Sequence, residues 1–271
     1  MEISGIYNLC ITGLLKFMNS IGQKEIVIGL SGGIDSAVCA ALCVNAIGPE
    51  KVFGVMLPGP YSSTGSITDS EELARNLGIS TEKISICSAF ESLQRELDGK
   101  FPLQCVCPDE KSRENTQARL RMTILMSLSN MHGWMLVNTG NKTEAMMGYS
   151  TLYGDTAGAY APLGGLYKRD VFALGRHINS LEVSKGVIPE NIFTKPPSAE
   201  LAPGQEDEKS LGISYKELDE ILISHFENNI NTKDIDTSVA RDTVSNICKL
   251  AESYAFKRNM EPPFTPISYQ I

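Results

Sequence analysis

Basic charge is the first thing this chain is short of: 24 Lys and Arg stand against 32 Asp and Glu, a formal net charge of −8. A nucleic-acid partner calls for a basic face, so none is expected, and cationic contacts have to come from local pockets. Long hydrophobic runs are missing as well. No apolar stretch approaches the roughly 20 residues of a membrane span. Lys16 interrupts the first helical stretch and no cleavage-site pattern follows it, so neither a membrane segment nor a signal peptide is expected. The seven cysteines form no Cys-x-x-Cys pair, and Cys105-Val106-Cys107 is too close-spaced for a zinc or redox framework. Reduced thiols in a cytoplasmic protein are the expectation, with Cys39 and Cys43, one helical turn apart, as small buried packers. Internal repeats and a dividing linker are also lacking. With 271 residues, 42% hydrophobic and 21% charged, the chain can bury one sizeable core, and a single domain over 1–271 follows. The Gly-x-x-x-x-Gly-Lys-Ser/Thr loop that grips terminal phosphates in kinases and GTPases does not occur.

What is present is a different glycine turn. Glu25-Ile26-Val27-Ile28-Gly29-Leu30 has the uninterrupted, β-branched character of a strand buried on both faces, and Ala37-Val38-Cys39-Ala40-Ala41-Leu42 supports a helix directly afterwards. Between them, Ser31-Gly32-Gly33-Ile34-Asp35-Ser36 sits at the strand's carboxyl end. Gly32 and Gly33 let the backbone approach an anion, the new helix points its amides and positive dipole end there, and two serines add hydroxyl donors. Asp35 would repel phosphate unless a cation such as Mg2+ lay between them. The turn resembles the signature of the PP-loop ATP pyrophosphatases, which cleave ATP between the α and β phosphates and transfer AMP to a substrate oxygen.

Taken in order, Ile3, Ile6, Cys10, Leu14, Phe17, Met18 and Ile21 recur at helical spacing and predict an amphipathic helix. Residues 51–57 read as a second strand ended by Pro58-Gly59-Pro60. Thr68-x-x-Glu71 reads as a capping box opening a helix that stops at Gly78. Residues 82–86 read as a third strand and 134–138 as a fourth, with a long helix from Ser112 between them. Residues 99–108 read as an irregular connection without chemistry. The alternation predicts an α/β fold: a doubly wound, mostly parallel sheet flanked by helices, with ligands at the strands' carboxyl ends. Beyond Glu144 the long stretch through Lys168, Lys185-Gly186 and Lys195-Pro196-Pro197-Ser198 to the acidic 205–208 is poorly periodic and reads as a mobile active-site loop. Ser214-x-x-Glu217 caps the next helix, and a last helix carries Val244, Ile247, Leu250 and Tyr254.

Together, the turn at 31–36, Asn115-Thr116-Gln117-Ala118-Arg119-Leu120-Arg121-Met122, Asn141-Lys142-Thr143-Glu144, Gly148-Tyr149-Ser150-Thr151-Leu152-Tyr153-Gly154-Asp155 and Lys195-Pro196-Pro197-Ser198-Ala199-Glu200-Leu201 resemble NAD synthetase, the ammonia-dependent family within the PP-loop superfamily. The likeness spans nearly the whole chain. It implies an adenine nucleotide α-hydrolase-like fold and an AMP-forming ligase that amidates deamido-NAD. The nicotinic acid carboxylate attacks the α-phosphorus of ATP, pyrophosphate leaves, and ammonia displaces AMP. It further implies that Gly29, Leu30, Ser31, Gly32, Gly33, Ile34, Asp35 and Ser36 contact ATP, joined by Thr139, Lys168 and Ser198. Asp35 and Lys168 carry the catalytic roles. Asp35 and Glu144 hold Mg2+, although in some members the residue matching Glu144 contacts the dinucleotide instead. Arg119 and Lys257 face deamido-NAD. A homodimer is implied, with the helix from Ser112 as a candidate contact.

Three positions depart from the ammonia-dependent pattern: Leu152 replaces a lysine, Ala159 an aspartate and Phe256 a histidine. Thr151-Leu152-Tyr153-Gly154-Asp155 and Pro60-Tyr61-Ser62-Ser63 look more like the synthetase part of glutamine-dependent members, which carry an amidase domain in front. Only about two dozen residues precede the first strand here, so free ammonia is the simpler expectation and a separate glutamine amidase the other. Two competing readings remain: another PP-loop amidase or thiolase, and a nucleotide-binding module without catalysis.

Overall fold

In the computed structural model, which describes residues 1–98, 109–205 and 212–270, the first apolar stripe forms α1 (Ile3–Ile21), burying Ile6, Cys10, Leu14 and Met18. β1 (Ile26–Gly29) follows, with Ile26, Val27 and Ile28 all at 0% exposure. Such two-sided burial needs a central parallel strand covered by helices on both faces. The chain continues as α2 (Ile34–Ile47), β2 (Val52–Met56), α3 (Thr64–Leu77), β3 (Ser80–Lys83), α4 (Cys87–Leu97), α5 (Asp109–His132) and β4 (Met135–Leu136). All pairings are parallel and the order is β3-β2-β1-β4. The connections therefore reverse direction between β1 and β4. At such a switch point, the loops leaving the two strands diverge to opposite faces and open a crevice at their carboxyl ends.

After β4 come α6 (Lys142–Met147), α7 (Lys168–Ser180), α8 (Glu190–Thr194), α9 (Tyr215–Leu222), α10 (Arg241–Ser253) and the short α11 (Ala255–Arg258). α1, α2 and α7 pack on one another over one side of the sheet, and α5 packs on β1 and β4 from the other. Val27, Val55, Ile86, Leu125 and Leu136 form the core beneath α5. A separate cluster joins α6, α9 and α10 through Met147, Leu218, Ile221, Leu222, Val244 and Ile247. Cys39 and Cys43 are fully buried, as expected of packers, and the five described cysteines are free thiols. Cys105, Cys107 and the rest of the 99–108 connection lie outside the described residues, as does the acidic 206–208. Among the described residues no helix is long and apolar enough to cross a membrane.

Several boundaries differ from the sequence reading. α3 starts at Thr64, because Ser63 already accepts the amide of Ser66 at 3.1 Å and caps the helix one turn before the Thr68 box. β3 ends at Lys83, but the amides of Ile84 and Ile86 still donate to Met56 O and Pro58 O at 2.9 and 3.0 Å, so the chain stays alongside β2. β4 has only two residues, with Val137 bridging on to Tyr160. The larger correction is α7, which occupies part of the stretch read as an aperiodic loop. Its Val171, Leu174 and Ile178 are all at 0% exposure. Each such burial contributes roughly 1.5–3 kcal/mol, enough to dock a helix whose other face is polar.

Candidate active site

The crevice is built around the turn after β1. Gly32 has φ +76°, and a Cβ there would meet the Ser66 carbonyl oxygen at 2.3 Å, so backbone conformation and the close approach of α3 both require glycine. The turn is drawn tight by hydroxyls. Ser31 N and the Ser31 hydroxyl meet Ser36 Oγ at 3.2 and 3.0 Å, Gly33 N donates to Ser31 Oγ at 3.2 Å, and Ser36 Oγ donates to Gly33 O at 3.0 Å. No side chain caps α2, which leaves its N-terminus open to an anion. Leu30 and Ile34 are buried, and with Gly29 they border the crevice.

Opposite the turn, Lys168 opens α7 and reaches back into the crevice. Its side chain is 2% exposed, with Nζ 2.5 Å from Asp35 Oδ2 and 2.9 Å from Glu144 Oε1. Burial alone would lower the lysine's pKa, but the two carboxylates outweigh it and hold the ammonium above its ordinary value. Asn141 orients both acids: its Nδ2 donates to Asp35 Oδ1 at 2.7 Å, and its Oδ1 accepts the Glu144 amide at 3.0 Å as the N-cap of α6. The turn after β1 and the turn after β4 are thus tied through one lysine and one asparagine.

These groups line a cavity of about 650 Å³ that also takes in Thr139, Ser198 and Lys257. Lys257, on α11 rather than on the last long helix, donates from Nζ to Gly148 O and Ser150 O at 2.8 Å each. Asp155 and Glu261 share that end. Burial pushes the Glu261 carboxyl up to about 7, and Asp155 adds to the push against the pull of Arg258. Arg119 is not brought to this cavity: exposed on α5, it donates from Nε to Leu152 O at 3.1 Å. Two residues along the helix is more than half a turn, so Arg121 faces inward instead, lining the cavity with its Nε on Leu57 O at 3.0 Å.

The loop before α9 closes one side. Glu200, at φ +49°, accepts Ser63 Oγ at 2.8 Å, Ser66 Oγ at 2.7 Å and Ser63 N at 3.1 Å, and Gln117 Nε2 donates to Leu201 O at 3.0 Å. Ser198 is held here as well, accepting the Glu200 amide at 3.1 Å. Sequence reasoning assigned no role to Glu200, Asn141, Asp155 or Glu261, although the first three lie within the motif blocks that carry the resemblance.

A parallel sheet with a glycine turn at its switch point is a doubly wound α/β architecture, here of the adenine nucleotide α-hydrolase-like fold. The structure of NMN synthetase from Francisella tularensis shares it, with a TM-score of 0.80 at 29% identity over 95% of this chain and 96% of that one. The family model for NAD synthase matches residues 6–261, and the chain belongs to that family. It is 42% identical over 254 residues to the glutamine-dependent NAD(+) synthetase of Thermotoga maritima, covering 93% of this chain but 43% of that protein. It is 36% identical to the NH(3)-dependent NAD(+) synthetase of Pyrococcus furiosus over 92% of this chain and 91% of that one. The chain therefore spans about half the length of the glutamine-dependent relatives it matches.

Proposed function

We propose that this chain forms NAD+ from deamido-NAD, ATP and ammonia, releasing AMP and pyrophosphate. The observation that carries the reading is the buried Lys168 ammonium, held by Asp35 and Glu144 at the mouth of the glycine turn. A pyrophosphate leaving an α-phosphorus gathers negative charge. In this reading the uncapped α2 amides, the Ser31 and Ser36 hydroxyls and Lys168 would stabilise it. Thr139 and Ser198 border the same cavity and complete the ATP contacts in this reading. No enzyme nucleophile is required, since the substrate carboxylate attacks and ammonia later displaces AMP; catalysis rests on positioning and charge.

Two carboxylates on one ammonium also suit Mg2+, which takes one or two carboxylates plus phosphate oxygens and water. Asp35 and Glu144 would hold the ion, and it would neutralise charge on the phosphates. Among the described residues no group of three or more His, Cys, Asp or Glu is gathered for a metal, and in this reading phosphate oxygens and water would complete the coordination. Lys257, one of several cations lining the cavity, would face deamido-NAD in this reading. Arg119, outside the cavity, can contact the dinucleotide only where that ligand extends past Leu152. A homodimer through α5 belongs to the same reading, supported by Met126 and Met131 at 38% and 74% exposure on that helix.

The nitrogen donor divides the reading in two. Relatives named for ammonia and for glutamine match at similar identity, and the glutamine-dependent likeness supports a synthetase fed by a separate amidase. The test is NAD+ formation by the purified chain with ATP, Mg2+ and deamido-NAD, with ammonium or glutamine as the only nitrogen source. Turnover on ammonium alone is expected. Pyrophosphate exchange into ATP without amide formation from either source would point to a partner that delivers ammonia. Absence of both with deamido-NAD would overturn the proposal.

A further inference from the structure

α9 forms no part of the cavity wall, yet it carries a carboxylate at 0% exposure. Asp219 Oδ2 accepts the Arg169 amide at 2.8 Å, and Oδ1 accepts the Thr143 hydroxyl at 2.5 Å. That hydroxyl in turn accepts the Lys168 amide at 2.8 Å. We propose that Asp219 is a positioning residue for Lys168 and Glu144, fixing the two backbones from which they reach each other across the crevice.

The need for such a group follows from the start of α7. A helix leaves its first amides without intrahelical partners, and the N-cap residue, Tyr167, supplies no side-chain cap. The amides of Asp170 and Val171 return to Tyr167 O at 2.9 and 3.1 Å. Those of Lys168 and Arg169 are left to Thr143 and Asp219, so a carboxylate from another helix closes the turn and meets the positive end of the α7 dipole. Thr143 is also the neighbour of Glu144 on α6. One carboxylate therefore fixes α7 and α6 against each other at the point where Lys168 and Glu144 must meet. Tyr215, four residues before Asp219 on the same face of α9, adds a ring centred 5.2 Å from Lys168 Nζ. Burial pushes the Asp219 carboxyl up to about 6, a cost that holding α9 in place by apolar packing would not incur.

The kinetic part rests on the reading of Lys168 given under Proposed function; the geometric part does not. The test uses the full chain with Asp219→Asn, Thr143→Val, their double variant and Thr143→Ser, which keeps the hydroxyl. Thermal melts establish folding, and kcat and KM for ATP are measured in the NAD+-forming assay. The Lys168 13Cε NMR signal, assigned by its loss in Lys168→Met, reports on the lysine whether or not the protein turns over. Since misplacement of a reacting group by 1 Å costs on the order of 100-fold, each single variant should lose at least about tenfold in kcat, with KM for ATP within about twofold. Thr143→Ser should behave as wild type. The double variant should be no worse than the poorer single, and the Lys168 signal should move toward that of an ordinary lysine. If Asp219→Asn does not fold, Thr143→Val decides by the same readings. A folded Asp219→Asn with unchanged kcat, losses that multiply in the double variant, or an unmoved Lys168 signal would each overturn the proposal. A wild type without turnover, but with a Lys168 signal that moves in Asp219→Asn, would sink the functional reading and leave the positioning role standing.

Discussion

Replacing Lys168 with methionine keeps most of the side chain's volume and removes one charge. In the wild type, a 2% exposed ammonium contacts two carboxylates at 2.5 and 2.9 Å, and those side chains are 17% and 23% exposed. Removing one member of a fully buried ion pair costs about 3–5 kcal/mol, because the charge left behind has no partner. Here two acids are left facing each other, but both keep some contact with water and Asn141 still donates to Asp35. The low end, about 3 kcal/mol, is therefore expected, or roughly 6–12 °C in Tm for a chain of this size. The sign reverses with a cation. Mg2+ should restore more of the variant's Tm than it adds to wild type, because the acids are then free to coordinate it. Differential scanning fluorimetry with and without Mg2+ measures both quantities. A variant that melts within about 2 °C of wild type in the absence of Mg2+, with no extra gain from Mg2+, would refute the account of the site as two carboxylates held by one ammonium.

Two further outcomes are expected. Gly32→Ala places a Cβ 2.3 Å from the Ser66 carbonyl oxygen at φ +76°, so the turn must move or α3 retreat. A loss of about 2 kcal/mol or more and weakened ATP binding should follow, and calorimetry showing unchanged affinity in a variant of unchanged Tm would contradict this. Glu261, pushed up to about 7 from an ordinary 4.5, favours the folded state in its neutral form. Its contribution is present below about 4.5 and is lost as the pH rises toward 7. Glu261→Gln should flatten the fall in Tm across that window, whereas parallel profiles for wild type and variant would show that the group titrates normally.

The readable parts of this chain were those where local chemistry and tertiary role coincide. The strand-turn-helix at 26–36 needed only β-branched residues, glycines and serines in order, and it lies where the alternation put it, at the switch point of a parallel sheet. Asp35, Glu144 and Lys168 were picked from family resemblance, and they meet within hydrogen-bond distance although 24 to 133 residues separate the lysine from its partners. α7 was hidden because its stripe is short and its first turn is capped by Asp219 on another helix, leaving no cap signal of its own. Glu200 was hidden for a like reason: what marks it is contact with Ser63 and Ser66, more than 130 positions away.

The sequence by itself determined the class of fold, the place of the glycine turn and the membership of a family, since periodicity, glycine placement and motif order are properties of neighbours along the chain. Which arginine of Arg119 and Arg121 faces the cavity, how the two acids share one lysine and why Asp219 is buried were decided by the tertiary structure. Those outcomes depend on helix rotation, on desolvation and on pairing between groups brought together only when the sheet closes.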